Sequence, residues 1–395
     1  MLRRILIPVV SLLVVLLGGV WLGGHPDRLP GFARDAFVQD DTAVVGEALG
    51  VLERRYYRKV DPRVVQEAAL RAAVESLGDQ YSAYLSPKDL VRFNEVTDAK
   101  FEGIGVEVQK ADAGLLIMKI YDESPAKKAG LARGDVIVKA GTKSLAGLAT
   151  TAASTLIRGP GGSKVKLTIR RDKKTFERDV ARAEVRVPVV ETRYDAAAKV
   201  GVVRLSGFST DAASEVKDGI TAMQNRGAKS IVLDLRGNPG GLVSEAQKLA
   251  SLFLDGGTIV TTRGRSVRTN TLEATDDPAF PKLPVAVLVD GGSASAAEIV
   301  TGALQDRGRA KVYGERTYGK GVFQEVIKLG EGGAMDITVG QYFTPKGRNL
   351  GGAGVTDGKD VSRGKGIAPD VKAVDDPKTA SIDEAAQIAI DAVKP

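Results

Sequence analysis

The chain has 395 residues, 43% hydrophobic and 27% charged, enough apolar material for two or three domains and too much for intrinsic disorder. Its formal charge of +7 is spread without a dense Lys/Arg block and aromatics are only 5%, so no nucleic-acid partner is expected. There is no cysteine and one histidine, His25, which excludes disulfides, thiol nucleophiles and cysteine-ligated metal.

At the N-terminus, Arg3 and Arg4 precede an uncharged run, residues 5–24. Its length is close to the roughly 20 residues that cross a bilayer, and no A-x-A exit site follows it. Residues 1–25 therefore read as a retained single-pass anchor in the cell membrane. The arginines stay inside, and residues 26–395 lie outside the cytoplasm. A cleaved segment would instead give a secreted or periplasmic protein. Trp21 and His25 fit the far interface.

Residues 26–97 read as a tether followed by helices. "TAVVGEALGVLERRYY" and "VVQEAALRAAVESLG" carry apolar positions at helical spacing. "SPKDL" supplies Ser86 as a cap and Pro87 at the first helical position. From residue 98 to 185 the pattern becomes short β-type runs, "GIGVEVQK", "LLIMKI", "DVIVKA" and "KVKLTIRR", between turn-rich stretches. Residues 186–372 alternate apolar strands with helices: "KVGVVRLSGF", "ASEVKDGITAMQNRG", "KSIVLDLRG", "LVSEAQKLASLFL", "PVAVLVDG", "ASAAEIVTGALQDRG". That rhythm implies crossover βα units and a largely parallel sheet. After Lys311 the chain turns β-rich, residues 349–366 read as a Gly-rich loop, and residues 373–395 form a tail ending in the helix "IDEAAQIAIDAV".

Two turns in the α/β region carry chemistry. In "VDGGSASAAE", residues 289–298, Ser293 and Ser295 sit between a strand and a helix. A serine there caps a helix; it also suits a nucleophile beside an oxyanion, because the first helical N–H groups point outward. "LDLRGNPGG", residues 233–241, ends another strand in glycines that let backbone N–H groups approach a substrate closely. Parallel strands present such turns at one edge. With neither His nor Cys at hand, lysine is the remaining base for serine. Lys320 in "GERTYGKG" sits between glycines, where an ordinary solvated turn lysine is the alternative. The octapeptide imitates a phosphate loop, but position 321 is Gly and "VFQEVI" is a strand pattern, so that reading fails.

"GGSASAAEI" followed by "GERTYGKGVFQ" resembles the C-terminal processing (tail-specific) serine proteases. So do "LDLRGNPGGL", "VRLSGF", "QYFTPKGR" and "GIAPDV", while "FEGIGVEVQ" and "ESPAKKAGLARGDVI" resemble that family's PDZ domain and "GDQYSAYLSPKD" its N-terminal helical segment. The match runs in the family's order over residues 45–372. Residues 351–363 stand out as an insertion.

The resemblance implies an α/β protease domain with a crotonase-like sheet, a β-rich PDZ domain and an N-terminal helical segment. It implies Ser295 as nucleophile, Lys320 as general base and Gln324 as the residue orienting the lysine. Backbone N–H groups of Gly241 and Ala296 would donate to the oxyanion, with Gly240 and Gly241 not separable by sequence. Phe101, Glu102, Gly103, Ile104, Gly105 and Val106 would form the loop holding a peptide carboxylate, with the helix containing Leu156 and Ile157 as the other wall of the groove. No cofactor and no metal site are expected. A working lysine pKa of about 7–8 would require desolvation. The implied function is a membrane-anchored serine endopeptidase cleaving exported proteins with free C-termini. The alternative is a catalytically silent, membrane-tethered PDZ scaffold. A regulatory partner and a homo-oligomer are both left open.

Overall fold

The computed structural model describes residues 40–395 apart from 331, 352–353, 357–358, 362–363, 377–378 and 380–381. The segment 5–24, which contains Trp21, and His25 after it lie outside the described residues. Among those residues no helix is long and apolar enough to cross a membrane. The chain divides at Ser76 into two units. In the first, both apolar-periodic stretches are helices, Asp40–Arg55 and Pro62–Glu75. The second of these starts as its sequence dictates: the Asp61 side chain accepts from Arg63 N–H, and Pro62 occupies a position that needs no amide donor.

The second unit, Leu77–Pro395, opens with the helix Pro87–Thr97, capped by the Ser86 side chain on Asp89 N–H. A β-rich module follows. Its antiparallel sheet runs Val106–Ala111, Gly114–Ile120, Val136–Ala140, Lys164–Arg171, Lys174–Ala181. Strand Lys164–Arg171 turns Val165, Leu167 and Ile169 inward, as its alternation requires. The helix Thr150–Ile157 buries Ala153 and Ile157 on the same core. A short antiparallel pair, Lys100–Gly103 with Ala183–Arg186, joins the two ends of the module.

The α/β core has a six-stranded sheet in the order Val190–Asp195, Val200–Leu205, Ser230–Asp234, Val285–Val289, Lys311–Gly314, Val371–Lys372. The first pair is antiparallel and the others are parallel. Ser230–Asp234 and Val285–Val289 are buried at every residue. Strands covered on both faces read as continuous apolar runs, which is why they were conspicuous in the sequence. Helices Ala212–Asn225, Val243–Ser251 and Ala296–Asp306 pack with Val203, Ile231, Leu233 and Val287. The last helix, Glu384–Val393, packs Ala385, Ala386, Ala389 and Ile390 with Val202, Val232, Ala286 and Leu288.

A second, antiparallel sheet holds Ala83–Leu85, Ala334–Phe343, Thr258–Arg263 and Asn270–Glu273, with Val322–Lys328 also paired to Ala334–Phe343. Residues 349–366, read as a loop, contain a short hairpin, Gly354–Thr356 with Lys359–Val361. Because the parallel strands end together, the turns after Leu205, Asp234 and Val289 meet at one edge, with the antiparallel strands over them.

Candidate active site

The two Gly/Ser turns are stitched to one another by hydrogen bonds. Asn238, fully buried, donates its side-chain amide to the Leu205 carbonyl at 2.9 Å, and its Oδ1 accepts from Gly240 N–H at 2.9 Å. Its own carbonyl accepts from Ala294 N–H at 2.9 Å. Ser293 donates its hydroxyl to the Leu235 carbonyl at 2.8 Å and is fully buried. Ser293 is therefore a stitch between turns, and Ser295 is the serine that lines a cavity.

Ser295 precedes the helix Ala296–Asp306 and has φ 54° and ψ −116°. That backbone is uncommon for a residue with a Cβ and is held only where its surroundings over-determine it. The turn of residues 237–241 presses on it from one side. The Gly240 amide is occupied by Asn238, but among the described residues Gly241 N–H and Ala296 N–H have no acceptor. Of the two glycines that the sequence does not separate, Gly241 is the one whose N–H has no acceptor among the described residues.

Ser295, Gly240, Gly241, Lys320 and Gln324 line one cavity of about 640 Å³. Its walls are largely apolar, with Phe93, Val96, Phe208, Leu242 and Tyr342 among them. Lys320 Nζ lies over the ring of Tyr81, 4.7 Å from its centroid. Burial lowers the lysine pKa, while the Asp336 and Asp79 carboxylates pull it back up. The desolvation is the larger effect, so the net direction favours the neutral amine. Gln324 donates its side-chain amide to Thr338 Oγ1 at 2.9 Å. Burial pushes the Tyr342 phenol well above its ordinary range, with the Ser295 side chain opposing the rise.

Several contributors were not picked out from sequence. Asp79 and Tyr81 come from the segment before strand Ala83–Leu85, which pairs with Ala334–Asp336 and so brings them to the Lys320 side of the cavity. Glu298 lies fully buried beneath the site. It accepts from Ser295 N–H at 2.9 Å, Lys320 N–H at 2.8 Å, Gly319 N–H at 2.7 Å and the Thr317 hydroxyl. Burial raises its pKa and the four donors oppose the rise. The signal for Glu298 was present in the sequence: Ser295-x-x-Glu298 has capping-box spacing.

The glycine-rich loop of the β-module lines a separate groove of about 380 Å³ with Phe101, Gly103, Ile104, Gly105 and Val106. Glu102 is exposed, pairs with Glu184 across the short ladder and does not line the groove. The opposite wall comes from Thr150, Ser154 and Ile157. These belong to the helix Thr150–Ile157, the wall that was expected, while its Leu156 packs on the module's core. Among the described residues Ile104 N–H and Gly105 N–H have no acceptor. Gly105, at φ 79°, could not carry a side chain without placing it 2.3 Å from Ser124 Cβ.

The model of peptidase family S41 matches residues 199–373, and a PDZ domain model matches residues 103–181. A "Probable CtpA-like serine protease" of Staphylococcus haemolyticus (strain JCSC1435) is 35% identical over 351 residues, 88% of this chain and 68% of that protein. One from Staphylococcus aureus (strain COL) is 36% identical over 334 residues, 84% of this chain and 64% of that protein. Among solved structures, a photosystem II D1 C-terminal processing protease aligns with 91% of this chain and 98% of its own at 25% identity, with a TM-score of 0.49. The chain belongs to peptidase family S41, among CtpA-like serine proteases with a PDZ domain.

Proposed function

We propose that the chain is a membrane-anchored serine endopeptidase in which Ser295 is the nucleophile and Lys320 the general base. Its substrates are exported proteins whose free C-termini are read by the PDZ domain. The observation that carries the catalytic part is the shared cavity: a hydroxyl, a desolvated lysine and the unpaired N–H of Gly241 line it together, beside that of Ala296.

In this reading neutral Lys320 takes the Ser295 proton as Oγ attacks the scissile carbonyl. The oxyanion forms against Gly241 N–H and Ala296 N–H, a contribution commonly worth about 3–4 kcal/mol. The lysine ammonium then protonates the leaving amine, and water hydrolyses the acyl-enzyme with the same lysine as base. Lys320 rests over Tyr81 and Gln324 donates to Thr338, so this reading requires both to turn toward Ser295 when substrate fills the cavity. Catalytic hydrogen bonds tighten in this way in many enzymes. Gln324 then orients the lysine.

Peptide hydrolysis by the full-length chain in detergent tests the assignment. Wild type should cleave and Ser295→Ala should fall to background. Background rates in both would return the chain to the role of a silent scaffold, and equal rates above background would move the nucleophile elsewhere. Residues 5–24 supply the anchor, with the catalytic part extracytoplasmic. Carbonate washing should leave the full-length chain in the membrane, and protease added outside spheroplasts should digest residues 26–395. A chain whose N-terminus starts near residue 25 would show a cleaved segment instead.

A further inference from the structure

Glu298 joins two parts of the site on different elements, Ser295 three residues before it and Lys320 22 residues after it. One atom, Oε2, accepts both Ser295 N–H and Lys320 N–H. The other, Oε1, accepts Gly319 N–H and the Thr317 hydroxyl. A carboxylate has about four lone-pair positions, and here four donors converge on it. Three of those donors are backbone N–H groups, which can only donate. The group also occupies the first turn of the helix Ala296–Asp306, where the helix dipole favours negative charge. It is fully buried, and among the described residues no cationic side chain is hydrogen-bonded to it.

We propose that Glu298 is a positioning residue of the active site, whose carboxylate fixes the backbone of Ser295 against the backbone of Lys320. The carboxylate itself touches no reacting atom. Its two bonds through Oε2 set the distance between the start of the nucleophile helix and the loop that carries the base. They also hold Ser295 in its uncommon backbone conformation, since the bonded amide belongs to the strained residue itself. A neutral amide in the same place could accept at one atom only. Its NH2 group would face either Ser295 N–H and Lys320 N–H or Gly319 N–H and the Thr317 hydroxyl, so in both orientations the loop that carries Lys320 loses the acceptor of at least one N–H. The inference rests on the Ser295/Lys320 reading above and adds a residue to it.

The test uses the full-length chain in detergent and one chromogenic peptide, with thermal melts on every variant. Glu298→Gln should lower kcat on the order of 100-fold and leave KM within about threefold, because the cavity that binds the peptide is intact while the reacting pair is misaligned. Glu298→Asp keeps the charge and shortens the reach by one methylene, so it should recover part of the loss, to about tenfold below wild type. Labelling of Ser295 by a fluorophosphonate should be no more than about threefold slower in Glu298→Gln/Lys320→Ala than in Lys320→Ala alone, because both changes remove one aligned pair. A folded Glu298→Gln variant with wild-type kcat overturns the proposal. So do labelling losses that multiply in the double variant. Should the glutamine variant not fold, the aspartate variant decides, and a kcat within twofold of wild type overturns the proposal. Lys320→Ala and Ser295→Ala run beside these variants. If either keeps turnover, the dyad reading fails; if both are silent and Glu298→Gln turns over at the wild-type rate, only the positioning role fails.

Discussion

Gly240 and Ser295 approach so closely that no side chain fits between them. A Cβ on Gly240 would fall 2.8 Å from Ser295 Cβ, 2.9 Å from the Ala294 carbonyl oxygen and 3.0 Å from the Ala296 nitrogen. Gly240 also has φ 101°, a conformation that residues with a Cβ rarely adopt. Gly240→Ala should therefore disturb the serine and the oxyanion donors together. We expect kcat to fall about 100-fold or more, the scale of one lost oxyanion donor, and stability to fall by about 1–3 kcal/mol. Turnover and a thermal melt check both, and wild-type kcat in the alanine variant would show that this close approach is not needed for catalysis.

The base assignment predicts a specific failure of a conservative change. Lys320→Arg keeps the positive charge and much of the length, but a guanidinium stays protonated. It should reduce turnover to near background, as should Lys320→Ala, with both proteins folded. Added to Ser295→Ala, neither should cost more, since nucleophile and base act as one unit. Measurable wild-type turnover in the arginine variant would assign the proton transfer to another group.

The pH dependence follows from the surroundings of the lysine. Burial lowers its pKa, and Asp336 and Asp79 raise it. With Lys320 as the proposed base, activity needs the neutral amine, so it should rise with pH through the lysine pKa and level above it, at a pH below the ordinary lysine range. Asp336→Asn removes a charge that favours the ammonium. The rising limb should then move to lower pH, and kcat/KM on that limb should increase. The profile of kcat/KM against pH measures this, and a shift to higher pH would show that Asp336 does not act on Lys320 through its charge.

How much of this was legible in the sequence depends on the range over which each contact acts. Runs such as "SIVLD" and "VAVLV" announce their burial by themselves, because both faces of those strands are covered. The Ser86–Pro87 start of a helix is equally local. Strand Ala83–Leu85 is not: three residues carry no period, and its partners lie at Ala334–Asp336, so the approach of Tyr81 and Asp79 to Lys320 could not be read. The hairpin at residues 354–361 was hidden by its glycines, which weaken strand propensity. Glu298 was hidden for another reason. Its spacing from Ser295 was visible, but its bonds to the Lys320 loop depend on tertiary approach.

The PDZ groove yields the last prediction. Ile104 N–H and Gly105 N–H are unpaired among the described residues and lie in the loop that lines it. If a substrate's terminal carboxylate is the acceptor, amidating that terminus removes both the charge and the matched oxygen. Charge-assisted hydrogen bonds are worth about 1.5–3 kcal/mol, so kcat/KM should fall roughly ten- to a hundredfold. Gly105→Ala should do the same from the protein's side, because its Cβ would fall 2.3 Å from Ser124 Cβ and force the loop to move. Amide and variant combined should cost little more than either alone, since they remove one interaction. The measurement is a pair of peptides, free acid and amide, cleaved by wild type and by Gly105→Ala. Equal rates on both peptides with wild type would leave the groove without a part in reading C-termini. Losses that multiply in the variant would place the carboxylate contact elsewhere, on a group that the loop does not control.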